Sequence, residues 1–114
     1  MDLSVVDLSP VPEGGTATDA YRQTVEAAQQ AERLGYSRFW VAEHHGMADT
    51  LAGTTPEVLL GYLAAETESI RLGSGAVLLN HYSPFKVAEQ FGALDALAPG
   101  RIDAGLGRAN GSPA

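Results

Sequence analysis

A chain of 114 residues with a formal net charge of −7, 45% apolar and 18% charged, has a globular composition that excludes disordered and fibrous classes. Its seven Lys and Arg residues are scattered, which argues against a nucleic-acid partner, and the absence of cysteine excludes disulfide frameworks and thiolate metal sites in this segment. No basic, apolar leader and no apolar run of about 20 residues is present, so no membrane partner and a cytoplasmic location are expected.

Leu3–Leu8 is a short apolar, β-branched run closed by Ser9-Pro10-Val11-Pro12-Glu13-Gly14-Gly15, and reads as a strand followed by a loop. Thr16 is placed to cap the next helix, with Asp19 completing a capping box. Ala20, Tyr21, Thr24, Val25, Ala28, Ala31 and Leu34 then recur at helical spacing, and Gly35 stands where a helix stops. Arg38-Phe39-Trp40-Val41-Ala42 reads as a strand buried on both faces, ending at Glu43-His44-His45-Gly46.

A polar loop leads to Thr55-Pro56, a helix start whose apolar side, Val58, Leu59, Tyr62, Leu63 and Ala65, carries it to about Ser69. Ile70–Leu79 reads as a third strand, with Gly73 and Gly75 suggesting close approach by a ligand or another backbone. Ser83-Pro84 opens a third helix with a stripe of Val87, Ala88, Phe91, Leu94 and Leu97, stopped by Pro99-Gly100. Arg101–Arg108 is the fourth strand, and 109–114 is loop.

The order is β-α-β-α-β-α-β in a single domain over residues 1–114, without internal linker, at the spacing of βαβ units; it predicts an α/β fold with a parallel sheet. An open dinucleotide-binding sheet should carry G-x-G-x-x-G after its first strand, where this chain has Ser9-Pro10-Val11-Pro12. Chemically interesting residues follow the second, third and fourth strands instead, the habit of a (β/α)₈ TIM barrel.

Three motifs in order, Trp40-Val41-Ala42-Glu43-His44-His45, Leu72-Gly73-Ser74-Gly75-Ala76-Val77 and Pro99-Gly100-Arg101-Ile102-Asp103-Ala104-Gly105-Leu106-Gly107-Arg108, make the chain resemble the bacterial luciferase-like flavin monooxygenases over its whole length. The resemblance implies the N-terminal half, β1α1β2α2β3α3β4, of a barrel that typically needs about 250 residues. The partner expected is therefore the remainder of a longer chain or a second copy in a homo-oligomer. The inward strand faces, with Val5, Val41, Val77 and Leu106 assigned to them, are expected to need that opposite wall.

By resemblance His44 is the catalytic residue, a general acid, base or hydrogen-bond donor beside the flavin. From spacing alone, a structural reading, in which His44 and His45 only solvate a loop or cap a buried carboxylate, stands even with a functional one, and for His45 the structural reading is kept ahead. The resemblance also places a non-proline cis peptide at Gly75–Ala76 under the flavin, and Arg108 on its phosphate. Some luciferases carry a reactive cysteine where Gly107 stands, so light emission is not assumed.

Glu43, His44, His45 and His81 offer metal-ligand chemistry. Adjacent histidines in extended chain face opposite sides, however, and H-E-x-x-H is absent, so no metal is expected. The function implied is a monooxygenase or oxidoreductase using reduced FMN, supplied by a flavin reductase, with O2 and a small organic substrate. Alternatives are a deazaflavin-dependent oxidoreductase, a non-catalytic fragment or assembly subunit, and, least favoured, a metal-dependent barrel hydrolase.

Overall fold

A computed structural model describes residues 2–109. The loop expected at 109–114 lies outside the described residues except for Ala109. In chain order the elements are β1 (Ser4–Asp7), α1 (Ala17–Arg33), β2 (Arg38–Val41), α2 (Pro56–Glu66), β3 (Arg71–Ser74), β4 (Val77–Leu78), a 3₁₀ turn (Leu79–His81), α3 (Pro84–Leu97), β5 (Ile102–Asp103) and β6 (Leu106–Gly107).

Strands β1, β2, β3 and β5 form one parallel sheet in that order, and β4 and β6 form a second parallel pair. The α/β alternation and parallel sheet expected from sequence are therefore present. The third and fourth strands, each expected as one run, are each broken in two. The third breaks at Gly75–Ala76, a cis peptide at the expected position. The fourth breaks at Ala104-Gly105, where Ser74 Oγ donates to Gly105 O (2.8 Å) and Gly105 N donates back to Ser74 Oγ (3.0 Å). A Cβ on Gly105 would lie 2.0 Å from Ser74 O, so only glycine permits this approach.

The helix boundaries follow local chemistry. Thr16 and Asp19 form the full capping box of α1. At its other end Gly35 takes φ +81, while Tyr36 N donates to Ala31 O and Gly35 N to Glu32 O, the paired bonds of a Schellman stop. Thr55 and Ser83 precede Pro56 and Pro84 as expected, but neither side chain bonds the helix backbone. Proline at the first turn removes an amide that would otherwise need a partner.

The core lies between the sheet and the three helices. It joins Phe39, Val41 and Leu72 to Ala28, Ala31, Leu60, Leu63, Val87, Phe91 and Leu94. Several assignments made from periodicity are corrected. Leu34, at the α1 C-cap, is 64% exposed, and Leu97 is 78% exposed. On α2, Val58 and Tyr62 face out while Leu60 is fully buried. This helix is apolar on nearly every side, so spacing alone does not choose its buried face.

The two sheet faces are also reassigned. The row Val5–Phe39–Leu72–Ile102 is in register and packs on the helical core. The alternate row, Val6–Trp40–Gly73–Asp103, therefore looks the other way, because successive residues of a strand point to opposite faces. Val5, Val41 and Val77 thus belong to the helix-facing side rather than the inner one. Leu106 shares a register position with buried Val77, yet stands 55% exposed at the edge of the sheet.

Trp40 accounts for the small residues around it. A Cβ on Gly73 would fall 2.5 Å from its Cζ3, and one on Gly75 would fall 3.4 Å from its Cβ. The flat ring that these glycines admit in this structure is the indole, which Gly105 also approaches.

Candidate active site

The C-terminal ends of the strands carry the loops, and these loops are stitched together. Pro10 pairs with Leu51 in an antiparallel bridge, Val11 N donates to Thr50 O (2.8 Å), and Ala52 N donates to Ser9 O (2.9 Å). The Tyr21 hydroxyl of α1 donates to Ala52 O, and His44 N donates to Gly53 O (2.8 Å). The segment following β2 is therefore held by backbone bonds on both sides, which fixes the position of Glu43-His44-His45.

Glu43 is the most enclosed charged group of the site, with its side chain fully buried. Its Oε1 accepts from Leu78 N (3.1 Å) and from the Tyr82 hydroxyl (2.9 Å), and its Oε2 faces His45 Nε2 at 2.5 Å. A buried carboxylate requires such partners, because an uncompensated one costs several kcal/mol. Tyr82 also reaches Glu57 of α2, at 3.2 Å. Burial first, and then the two neighbouring carboxylates, push the Tyr82 hydroxyl well above its ordinary range, so it serves as a donor.

His45 is thus the cap of a buried carboxylate, one of the two structural roles left open for it from sequence. Its ring also lies edge-to-face with that of His81, centroids 4.7 Å apart. His44, between Glu43 and His45 in sequence, is half-buried and makes no side-chain hydrogen bond among the described residues. Gly75 is open to solvent and Ala76 half-buried; Gly75 N donates to Val41 O (2.8 Å), which ties this peptide to the end of β2. Arg108, just beyond β6, is exposed and forms no ion pair among the described residues. The surface ion pair that was its alternative reading is not seen there.

His44, Gly75–Ala76 and Arg108 therefore follow β2, β3 and β6 at one end of the sheet. Sequence reasoning singled out all four, but missed the clasp on Glu43. Its partners Leu78 and Tyr82 lie 35 and 39 residues away, beyond any local pattern. The visible hint was a carboxylate set directly after an apolar strand.

The sequence profile described as luciferase-like monooxygenase matches residues 1–114. The chain belongs to the luciferase-like monooxygenase family. It is 62% identical over 109 residues to the N-acetyl-S-alkylcysteine monooxygenase of Bacillus subtilis strain 168, a match covering 96% of this chain and 32% of that protein. Among solved structures, apo-MsnO8 superposes with a TM-score of 0.94 at 53% identity, over 99% of this chain and 34% of the other. The oxygenating constituent of 3,6-diketocamphane monooxygenase from the CAM plasmid of Pseudomonas putida, a type II Baeyer–Villiger monooxygenase in complex with FMN, superposes with a TM-score of 0.86 at 25% identity, over 97% and 30%. The chain spans about a third of the length of these relatives. Its four-stranded parallel arc with three helices is the opening part of the TIM barrel of luciferase-like monooxygenases. No described helix is long and apolar enough to cross a membrane.

Proposed function

We propose that this chain supplies one wall of the active site of a flavin-dependent luciferase-like monooxygenase. The observation that carries the reading is the arrangement at the C-terminal ends of the strands. Two polar side chains without protein partners among the described residues, His44 and Arg108, accompany an open Gly75–Ala76 backbone. A flavin mononucleotide needs an unobstructed surface for its flat ring and a cation for its phosphate, and these residues fit both requirements. Gly75 and Ala76 would lie against the ring, Arg108 would bind the phosphate, and His44 would hold or move a proton beside the reacting atoms. Reduced flavin supplies two electrons, so that one oxygen atom of O2 enters the substrate and the other leaves as water.

The protein's own part is to position and to exclude water. Glu43, clasped by Leu78, Tyr82 and His45, fixes the segment that presents His44. The rest of the barrel comes from a longer chain or a second copy, and a separate reductase provides reduced FMN. The setting is cytoplasmic. The relationship to the N-acetyl-S-alkylcysteine monooxygenase makes an S-alkylated cysteine the first small organic substrate to try.

Oxygen uptake by the full-length polypeptide, supplied with reduced FMN and such a thioether, tests this directly. Substrate-dependent O2 consumption with an oxygenated product is expected. Hydride transfer from a reduced deazaflavin without O2 uptake would replace the reading by the oxidoreductase alternative.

A further inference from the structure

We propose that Glu43, His45 and His81 form a binding site for a single divalent transition cation of the Zn2+/Co2+ class. One ligand atom from each of the three residues lies within 4.8 Å of the others. The proposal uses none of the residues set against the flavin, His44, Gly75–Ala76 and Arg108, and shares with that reading only the Glu43–His45 contact.

Chain geometry selects these residues. Glu43 and His45 are two apart in an extended segment and so share a side, whereas His44 faces away. Adjacent His44 and His45 are not both needed for a site: the cluster takes His45 alone and adds His81 from the 3₁₀ turn after β4. Two imidazoles and one carboxylate are the donor set of a three-ligand zinc site with one position left for water.

The supporting contacts have the form such a site needs. Glu43 Oε1 is engaged by Leu78 N and the Tyr82 hydroxyl, leaving Oε2 as the ligand atom. Tyr82 is in turn braced by Glu57. Outer groups that hold a ligating carboxylate in this way tune metal affinity. The His81 ring makes no hydrogen bond among the described residues, so its lone pair is uncommitted. Tetrahedral bonds of about 2.05 Å set ligand atoms about 3.3 Å apart. The Glu43–His45 contact, at 2.5 Å, is shorter than this, and the widest separation in the cluster does not exceed 4.8 Å. A cation entering between the two opens that contact, and rotation of the exposed His81 ring completes the set.

The experiment uses the full-length polypeptide stripped with chelator. Co2+ is followed by its visible d–d absorption and Zn2+ by titration calorimetry. Saturable single-site binding is expected, weakened about tenfold or more in His81→Ala and in Glu43→Gln, and to a lesser degree in Tyr82→Phe. His44→Ala should leave the dissociation constant within about twofold, since its ring is on the other face. His81 is exposed, so its variant is expected to fold, and circular dichroism checks this. Absence of single-site uptake, or uptake whose affinity His81→Ala does not change, overturns the proposal.

Discussion

The two ends of the parallel sheet differ in how completely their charged and titratable side chains are partnered. At the N-terminal ends, Asp103 binds Arg71 through both oxygens (2.6 and 3.0 Å) and Arg38 at 3.1 Å, while Arg71 also donates to Gly100 O. Arg101 gathers the carbonyls of Ala64 and Ile70 and the Thr67 hydroxyl, closing the C-terminal end of α2. Glu32 accepts the backbone amides of Glu68, Ser69 and Ile70. Each of these charges is satisfied inside the chain. At the C-terminal ends the carboxylates of Asp7 and Glu43 are satisfied too, but His44 and Arg108 are left without side-chain partners among the described residues. A barrel keeps its stabilising contacts at the first end and its chemistry at the second. The comparison therefore separates residues whose loss unfolds the protein from residues whose loss disables it.

The sharpest test of that separation, and of the proposed activity, is His44→Ala in the full-length polypeptide. With no hydrogen bond to lose, the variant should melt within a degree or two of the parent. Turnover should fall by about 10²–10⁴, the usual worth of a positioned acid or base. Turnover that falls only in proportion to folded protein would return His44 to a structural role.

At the opposite end, Asp103→Asn should spare the chemistry and cost about 1–3 kcal/mol of stability, since two guanidinium groups lose their anion. Hydrogen bonding by Arg71 foremost, then by Arg38, holds the Asp103 carboxyl below its ordinary range against the opposing effect of burial. The sign follows. A depressed carboxylate contributes stability above its unfolded value of about 3.9, and that contribution is lost as pH falls through the folded value. Denaturant midpoints measured between about pH 6 and pH 3 should therefore decline less steeply in Asp103→Asn than in the parent.

Glu32→Gln is a milder version of the same experiment. Burial acts to raise the Glu32 carboxyl, but the amides of Ser69, Ile70 and Glu68 outweigh it and the net direction is down. The site is partly open to water, so about 1 kcal/mol is expected above pH 5, with a smaller difference at lower pH as the parent carboxyl protonates. Equal stability of parent and variant at neutral pH would show that the amides are served as well by solvent.

These contrasts explain what was legible in the sequence. The fold was readable because local signals agreed with it: the Thr16/Asp19 box, Gly35, Thr55-Pro56 and Ser83-Pro84 each mark a helix boundary that the structure has. His44 was singled out just after an expected strand, Arg108 at the end of one, and Gly75 and Ala76 within one, each by its place in a motif of the family resemblance. The strand breaks, the Glu43 clasp and the Asp103 network were not, since each depends on pairings 30 or more residues apart. Face assignment failed in β1, β2 and β4 because short strands with adjacent apolar residues carry no alternation to read.

The smallest expected effect tests one such correction. Helical spacing puts Leu34 on the buried stripe of α1, in line with Ala20, Thr24, Ala28 and Ala31. The helix ends one residue earlier, at Arg33, and the Gly35 stop turns the chain away, leaving Leu34 64% exposed as the C-cap. Its contribution to the structure is through its backbone, whose N–H donates to Gln30 O (3.0 Å), and any non-proline residue keeps that bond. Leu34→Gln should thus shift stability by no more than about 0.5 kcal/mol, the range of surface substitutions, whereas Leu60→Ala in the closed core should cost about 2–5 kcal/mol. Chemical denaturation of the two variants side by side measures both. A loss at Leu34 approaching that at Leu60 would mean that its side chain is covered in the full-length protein, by a surface that does not belong to residues 2–109.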